Sequence, residues 1–351
     1  MNKSPRFRRF VMLMCCFFAT LSQLSQPVRA QGPRIELLST GPHVSLRGLS
    51  VVNDKVIWVS GSGGTVGRSI DGGATWSWTT VPGYEKRDFR DIEAFDENTA
   101  IIMAIAEPAQ LLKTNDGGQT WRMVYQNEYP GMFLDAMDFA NDNTTGVVVG
   151  DPIHGHFFEA ETSDGGSTWH DIQLRQLPEA DSGEGCFASS GTNIRFINRD
   201  AACFVSGGPR ARLFIAGQSI DLPLIQGAVS TGANSVAVKD PGKPLDKLHL
   251  IVVGGDFSKD TITAKNCALT NNGGQTWLSP KTAPHGYRSC VEYIGPHALL
   301  TCGTSGVDLS TDDGMNWQLL TTTGFHACRK AKKGHAVFLA GSGGRVARLI
   351  F

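Results

Sequence analysis

The chain has 351 residues, with 32 Lys and Arg against 33 Asp and Glu, and it is rich in Gly (41) and Pro (16). A near-neutral balance without basic runs gives no electrostatic basis for nucleic-acid binding. Beyond the N-terminus no apolar stretch reaches the ~20 residues that a membrane-spanning helix needs. The Gly and Pro content points instead to many short strands and tight turns.

In chain order, Lys3, Arg6, Arg8 and Arg9 precede an apolar run from Phe10 to Leu21, and a polar stretch then ends in Val28-Arg29-Ala30. This is the layout of a secretory signal peptide over residues 1–30, with cleavage before Gln31. The apolar run is too short to cross ~30 Å of hydrocarbon. Cys15 and Cys16 follow a methionine rather than a small residue, which argues against a lipid-anchored terminus. The mature chain is therefore expected to be exported, periplasmic or extracellular, without a membrane span. Five basic and no acidic residues leave with the leader, so 27 basic residues face 33 acidic ones, a net charge of −6.

From residue 31 onward the pattern is β. Val56-Ile57-Trp58-Val59 and Leu250-Ile251-Val252-Val253 are short, β-branched and bounded by turn residues, which reads as strand. The dominant signal is an internal repeat. Ser69-Ile70-Asp71-Gly72-Gly73-Ala74-Thr75-Trp76 returns around Asp116 and Trp121, Asp164 and Trp169, Asn272 and Trp277, and, in a weaker form, Asp312 and Trp317. These eight-residue segments resemble the Asp-box, S/T-x-D-x-G-x-T-W, of sialidase-like and related propellers. A carboxylate that accepts backbone N–H groups, glycines at positive φ and a Trp that adds apolar area make a hairpin staple, so these aspartates are assigned a structural role.

The spacing counts units. The third box positions are 45, 48, 108 and 40 residues apart, so one unit in the long gap has lost its box. That unit shows as Asn193–Ile197, Ala202–Val205 and Arg212–Ile215. A seventh unit, Val337–Gly341 and Arg345–Phe351, ends after its third strand. Residues 31–351 are therefore expected to form one all-β, seven-bladed β-propeller with Asp-box repeats. Its ring would be closed by an N-terminal strand, Arg34–Leu38, with Ile35 and Leu37 on one face. Second strands ending in small residues, as at Gly61, Gly150, Gly254 and Gly303, would let blades crowd around a channel.

The boxes, with the phrases Phe89–Phe95 and Phe133–Phe139 and Gly150-Asp151-Pro152-Ile153, resemble the photosystem II stability/assembly factor-like family over essentially all of residues 34–351. The resemblance implies an exported or lumenal seven-bladed propeller, and an assembly or stability factor that binds a protein or peptide. The alternative is an exported glycan-acting hydrolase of the Asp-box type, with a glycan as partner. A sialidase would need an arginine triad, a Tyr nucleophile and an Asp acid/base; with 5 Tyr, and no proline after Arg34-Ile35, that set cannot be assembled. No catalytic residue is assigned.

No metal or cofactor is expected either. His154 and His156 have chelating spacing but no third ligand in sequence, and no glycine fingerprint opens a helix. Six cysteines remain after export, Cys186, Cys203, Cys267, Cys290, Cys302 and Cys328. Cys290 and Cys302 should face each other across a hairpin, and Cys328 sits at the Cys290 position of the next unit and competes with Cys302.

Loops opposite the box turns should carry function. Arg90, Glu107, Asp151, His154, Arg210, Asp256, Arg288 and His326 are the binding candidates on that face. Arg90, Arg210 and Arg288 would form a cationic group for a carboxylate or acidic peptide, unless they pair with Asp91, Asp135, Asp151 and Asp256. The insertion from Gln176 to Gly191 would extend that surface, and the one from Lys239 to Asp246 should lie on the box face.

Overall fold

The computed structural model describes residues 1–2 and 32–351; the predicted leader lies outside the described residues. Met1–Gly32 and Pro33–Phe351 are separate units, and the second is the propeller. Blade 1 contains β2 (Leu46–Val51), β3 (Ile57–Gly61), β4 (Thr65–Ser69) and β5 (Ser77–Thr80). Blade 2 contains β6 (Phe89–Ala94), β7 (Ala100–Ala104), β8 (Ala109–Thr114) and β9 (Arg122–Asn127). Blade 3 runs β10 (Leu134–Phe139), β11 (Gly146–Ile153), β12 (His156–Thr162) and β13 (His170–Asp171). Blade 4, the unit without a box, runs β14 (Ile194–Phe196), β15 (Ala202–Val205), β16 (Arg212–Ile215) and β17 (Gln218–Asp221).

Blade 5 has three strands, β18 (Thr231–Lys239), β19 (His249–Asp256) and β20 (Cys267–Thr270), its outer position reduced to the bridge between Leu269 and Leu278. Blade 6 runs β21 (Cys290–Tyr293), β22 (Leu299–Gly303), β23 (Gly306–Ser310) and β24 (Gln318–Thr321). Blade 7 combines β25 (Ala327–Lys330), β26 (Val337–Ala340) and β27 (Arg345–Ile350) with β1 (Arg34–Thr40) in the order β1-β27-β26-β25. The N-terminal strand is thus the outer strand of the last blade. First strands pack side by side from β2 round to β25, which returns to β2.

The closure departs from simple alternation. Arg34 to Leu37 pair with Ile350 to Ala347, then the register slips between Leu37 and Ser39. The bulge leaves Leu37 more than half exposed, while Ile35 and Leu38 pack on the core. Ile35 and Leu37 therefore do not share one buried face: Leu37 sits at the bulge itself, where the strand bends and Leu38 packs on the core in its place.

Each of the seven blade-to-blade interfaces has its own apolar cluster, such as Trp58, Ile92 and Leu112 between blades 1 and 2, and Leu49 and Phe338 between blades 7 and 1. The small residues ending the second strands make this closeness feasible. A Cβ on Gly61 would lie 2.4 Å from the Ser45 carbonyl oxygen, and one on Gly303 would lie 2.0 Å from that of Tyr287. No larger side chain fits between these backbones.

The box turns join third strands to the outer edge and share one hydrogen-bond scheme. In blade 2 the Thr120 N–H donates to Asp116 Oδ1 at 2.9 Å, and Thr114 Oγ1 receives the Gly118 N–H at 3.0 Å. Gly118 has φ of 84°, a region that costs L-residues strain and glycine little. Those contacts hold the Asp71 and Asp116 carboxyls down at about 2, the threonine hydroxyl donating first and its backbone N–H second. Blade 5 repeats the scheme with Asn272, whose Oδ1 accepts the Thr276 N–H at 3.0 Å. In blade 6 Asn316 replaces the threonine and donates both N–H and Nδ2–H to Asp312. Trp169 and Trp317 are buried, whereas Trp76, Trp121 and Trp277 are half-buried.

Candidate functional site

A cavity of about 940 Å³ opens at the channel mouth on the face away from the boxes. Its wall is built by a recurring backbone device. The register slips between Leu46 and Gly48, between Phe89 and Asp91, between Leu134 and Ala136, and between Ala233 and Ser235. The residue skipped in each case, Arg47, Arg90, Asp135 or Asn234, lines the cavity. A β-bulge bends its strand and re-aims one side chain; here four blades use it at the same level to point a polar group at the channel mouth.

The floor comes from the insertion before blade 4. Its segment from Cys186 to Thr192 enters the channel: Ser190 Oγ donates to the Ser289 carbonyl at 2.7 Å, Arg47 Nη1 donates to the Ser189 carbonyl at 3.3 Å, and Arg329 Nη2 donates to the Ser190 and Gly191 carbonyls. Ser190 and Thr192 are fully buried. Glu184 anchors the insertion to blade 4 through a buried ion pair with Arg212, whose Nε donates to Glu184 Oε1 at 2.9 Å. A second cavity of about 800 Å³ lies at the box-face end, lined by Arg195, Arg329, Glu292 and Lys332 among others. Pro241 and Gly242 of the other insertion also line it, on the box face as expected.

The upper cavity is electrostatically divided. Blades 1 and 2 present Arg47 and Arg90, 2 guanidiniums close enough for each to feel the other. Burial and the Arg90 charge both lower the pKa of Arg47. Blade 3 presents Asp135 and Asp151. Asp135 is fully buried, and burial, with the nearby Asp151 charge, raises it well above the usual carboxylate range against the opposing pull of Arg90. Burial also raises Asp151 to about 6, opposed by the Cys186 N–H that donates to its Oδ1 at 3.0 Å. His326, between Ser45 Oγ and Ser342 Oγ, is lowered to about 3 by burial and by Arg47, Arg345 and Arg90, so it is neutral at physiological pH.

Two polar groups in this wall lack partners among the described residues: both oxygens of Asp135, and Nε of Arg90. Buried groups of this kind are uncommon in folded proteins. Around them Phe133, Phe187, Phe257 and Tyr287 supply apolar wall, with Phe257 nearly half exposed and Val229 more so at the rim.

Of the residues expected here from sequence, Arg90, Asp151 and His326 line the cavity. The cationic trio does not form. Arg288 is fully buried and donates Nε to Asp308 Oδ2 at 2.7 Å, with further bonds to the Tyr287 carbonyl and Ser305 Oγ. Side chains alternate along an extended chain, so Tyr287 takes the cavity position and Arg288 turns into its blade. Arg210 is held by Asp221 and Asp181 on the outside of blade 4. Arg90 pairs with Asp88 at 3.3 Å, so none of the three takes the acidic partners considered for it.

Glu107 receives the Gly131 N–H, Asp256 receives the Ser258 N–H, and His154 meets the Tyr129 hydroxyl at 2.7 Å; these three lie beside the cavity wall without lining it. His154 and His156 do not converge on a common point: the ring of His156 turns to the His154 carbonyl. Arg47, Asp135 and Asn234 were missed as site residues. Aligning the inner strands as Leu46-Arg47-Gly48, Phe89-Arg90-Asp91, Leu134-Asp135-Ala136 and Ala233-Asn234-Ser235 would have marked them, since only the middle residue is polar at the same step in all four.

Fold and site together define a seven-bladed Asp-box propeller with a plugged channel and a polar cup at one mouth. Residues 38–134 match the family model described as photosynthesis system II assembly factor YCF48. Among solved structures, YCF48 bound to D1 peptide is 18% identical, with a TM-score of 0.61 over 91% of this chain and 96% of that one. YCF48 from Cyanidioschyzon merolae is 15% identical, with a TM-score of 0.59 over 90% and 98%. The WD40 propeller domain of Doa1 is 11% identical, with a TM-score of 0.60 over 91% and 97%. No curated protein matches the chain by sequence. The partial family match and the likeness in fold to the YCF48 structures agree with the resemblance read from the sequence, and they show the propeller fold.

Proposed function

We propose that this protein is a non-catalytic assembly factor that binds a peptide segment of a partner protein in the upper cavity, acting on an envelope complex after export. The observation that carries the reading is the cup itself, where Arg90 and Asp151 face an aromatic wall at the channel mouth. A peptide backbone offers one donor and one acceptor per residue, the complement of the Asp151 carboxyl and the Arg90 guanidinium on the cavity wall. The aromatic wall suits an apolar side chain of the same segment. A solved propeller of similar fold, YCF48, is bound to a D1 peptide, which supports the same use of the fold here.

The test is a peptide-array screen with the full chain, followed by calorimetry on the best binder. Arg90→Ala and Asp151→Asn should each weaken binding by about tenfold or more, the value of one hydrogen bond to a charged group. Lys243→Ala, in the box-face insertion, should leave it unchanged. A binder indifferent to both cup substitutions would overturn the site. N-terminal sequencing that finds the mature chain starting at Gln31 would support export, and a retained Met1 would refute it.

One observation favours the hydrolase reading. Asp135 and Asp151 are paired acids with raised pKa values in one cleft, as general acid/base work requires. Asp135, however, exposes no surface from which to reach a glycosidic oxygen. Glycan turnover abolished by Asp151→Asn would establish that reading.

A further inference from the structure

Three cysteines that the sequence places on different strands converge behind the channel wall. Cys290 on β21 pairs in register with Cys302 on β22, and Cys328 lies on β25, the first strand of the next blade. All three are fully buried, and their sulfur atoms lie within 4.8 Å of one another. Cys290 and Cys328 Sγ are 3.7 Å apart. The geometry points to a three-coordinate thiolate site for a soft monovalent metal ion, Cu(I), that clips blade 6 to the ring-closing blade 7.

Four observations carry the assignment. First, a metal–sulfur distance of about 2.3 Å puts the three sulfurs of a planar trigonal site about 4 Å apart, within the spacing seen here. Second, no histidine or carboxylate joins the group among the described residues. Structural zinc needs a fourth ligand, whereas three soft thiolates suit Cu(I). Third, Arg329 Nη1 approaches Cys290 Sγ at 3.4 Å while its Nη2 is tied to the Ser190 and Gly191 carbonyls. A guanidinium cannot ligate a metal, but it offsets the negative charge of a thiolate complex. Fourth, Arg329 lines the box-face cavity, so the guanidinium beside Cys290 is the group of this cluster that faces that mouth. Each thiol that binds as thiolate releases its proton to solvent, and the ion keeps its oxidation state.

The test uses the reduced full chain under anaerobic conditions, titrated with Cu(I) against a competing chelator. One Cu(I) per chain is expected, with X-ray absorption showing three sulfur neighbours and no nitrogen or oxygen. Cys302→Ser should weaken binding by more than about 100-fold, beyond the loss typical of an outer-shell partner. Cys186→Ser and Cys267→Ser should leave it unchanged. If the Cys302 variant does not fold, the scatterer count on the unmodified chain still decides. Two sulfurs, mixed ligation, uptake of Zn(II) in preference to Cu(I), or a Cys290–Cys328 disulfide whose reduction yields no Cu(I) uptake would each overturn the proposal.

Discussion

Blades 1, 2, 3, 5 and 6 each carry a box between the third strand and the outer edge, whereas blades 4 and 7 carry none and take their closing contacts from distant residues. Blade 4 turns from β16 to β17 on Ala216-Gly217 alone, both at positive φ, the two-residue hairpin geometry. Its stability comes from the stacked rings of Phe204 and Phe214, centroids 4.5 Å apart, from Arg212 lying over Phe214, and from Glu184 reaching in from the insertion. Blade 7 takes its outer strand from the N-terminal end of the propeller. A boxed turn is thus held by residues four apart in sequence, whereas blade 4 adds an anchor 28 residues away and blade 7 a strand from the other end of the propeller. The difference matters for function, because the segment that anchors blade 4 is also the channel plug and the floor of the cup.

The largest effect should come from removing the long-range closure of blade 7. Deleting Arg34–Thr40 exposes the donors and acceptors of β27 along an open edge. The expected outcome is a large fall in melting temperature together with concentration-dependent association, read by light scattering. Ile35→Asp should act in the same direction. Leu37→Asp, at the exposed side of the bulge, should stay within about 0.5 kcal/mol of the parent. A deletion variant that stays monomeric with unchanged melting would show that blade 7 closes without its fourth strand.

Next comes the anchor of blade 4. Glu184→Ala leaves Arg212 buried and uncompensated, which should cost about 3–5 kcal/mol in denaturant unfolding. Replacing both partners, as Glu184→Met with Arg212→Leu, should recover most of that loss, since apolar residues of similar volume often match a buried pair. Peptide binding in the cup should nevertheless remain impaired in Glu184→Ala, because the loop forming its floor is released. Full stability in Glu184→Ala would mean that the aromatic stack alone holds the blade.

How much of this was legible in the sequence follows the same division. Local patterns carried the blade count: boxes announce themselves in eight residues, and even the boxless unit showed through its strand periodicity. The site was harder to see. Reasoning from loops named Asp256 where Phe257 lines the cavity, Arg288 where Tyr287 does, and His154 where Gly155 does. Each error is one residue, the step that moves a side chain to the opposite face of a strand. The bulges at Arg47, Arg90, Asp135 and Asn234 set which inner-strand side chains reach the cup, and a bulge has no composition of its own. The facing of Cys290 and Cys302 was readable, being set by one hairpin register. The buried pair of Glu184 and Arg212 was not, because it joins a loop to a strand across the start of blade 4.

The smallest effect separates the boxes from one another. Asp71 and Asp116 are held at about 2 by their threonine contacts, below the ~3.9 of an unfolded aspartate. A depressed carboxyl stabilises the fold above the unfolded value, and that contribution is lost as pH falls from about 4 towards 2. Blade 5 is exempt, because Asn272 makes the equivalent bond to Thr276 and does not titrate. In an NMR titration the Thr120 amide should shift with a midpoint near 2, while the Thr276 amide should not follow that curve. Asn272→Asp should fold normally at neutral pH, confer the same titration on Thr276, and steepen the acid limb of the melting profile. Asp116→Asn should flatten that limb and silence Thr120. If Thr276 in the native chain titrates together with Thr120, the acid sensitivity belongs to the whole ring rather than to individual boxes, and the local character claimed for the boxed blades would fail.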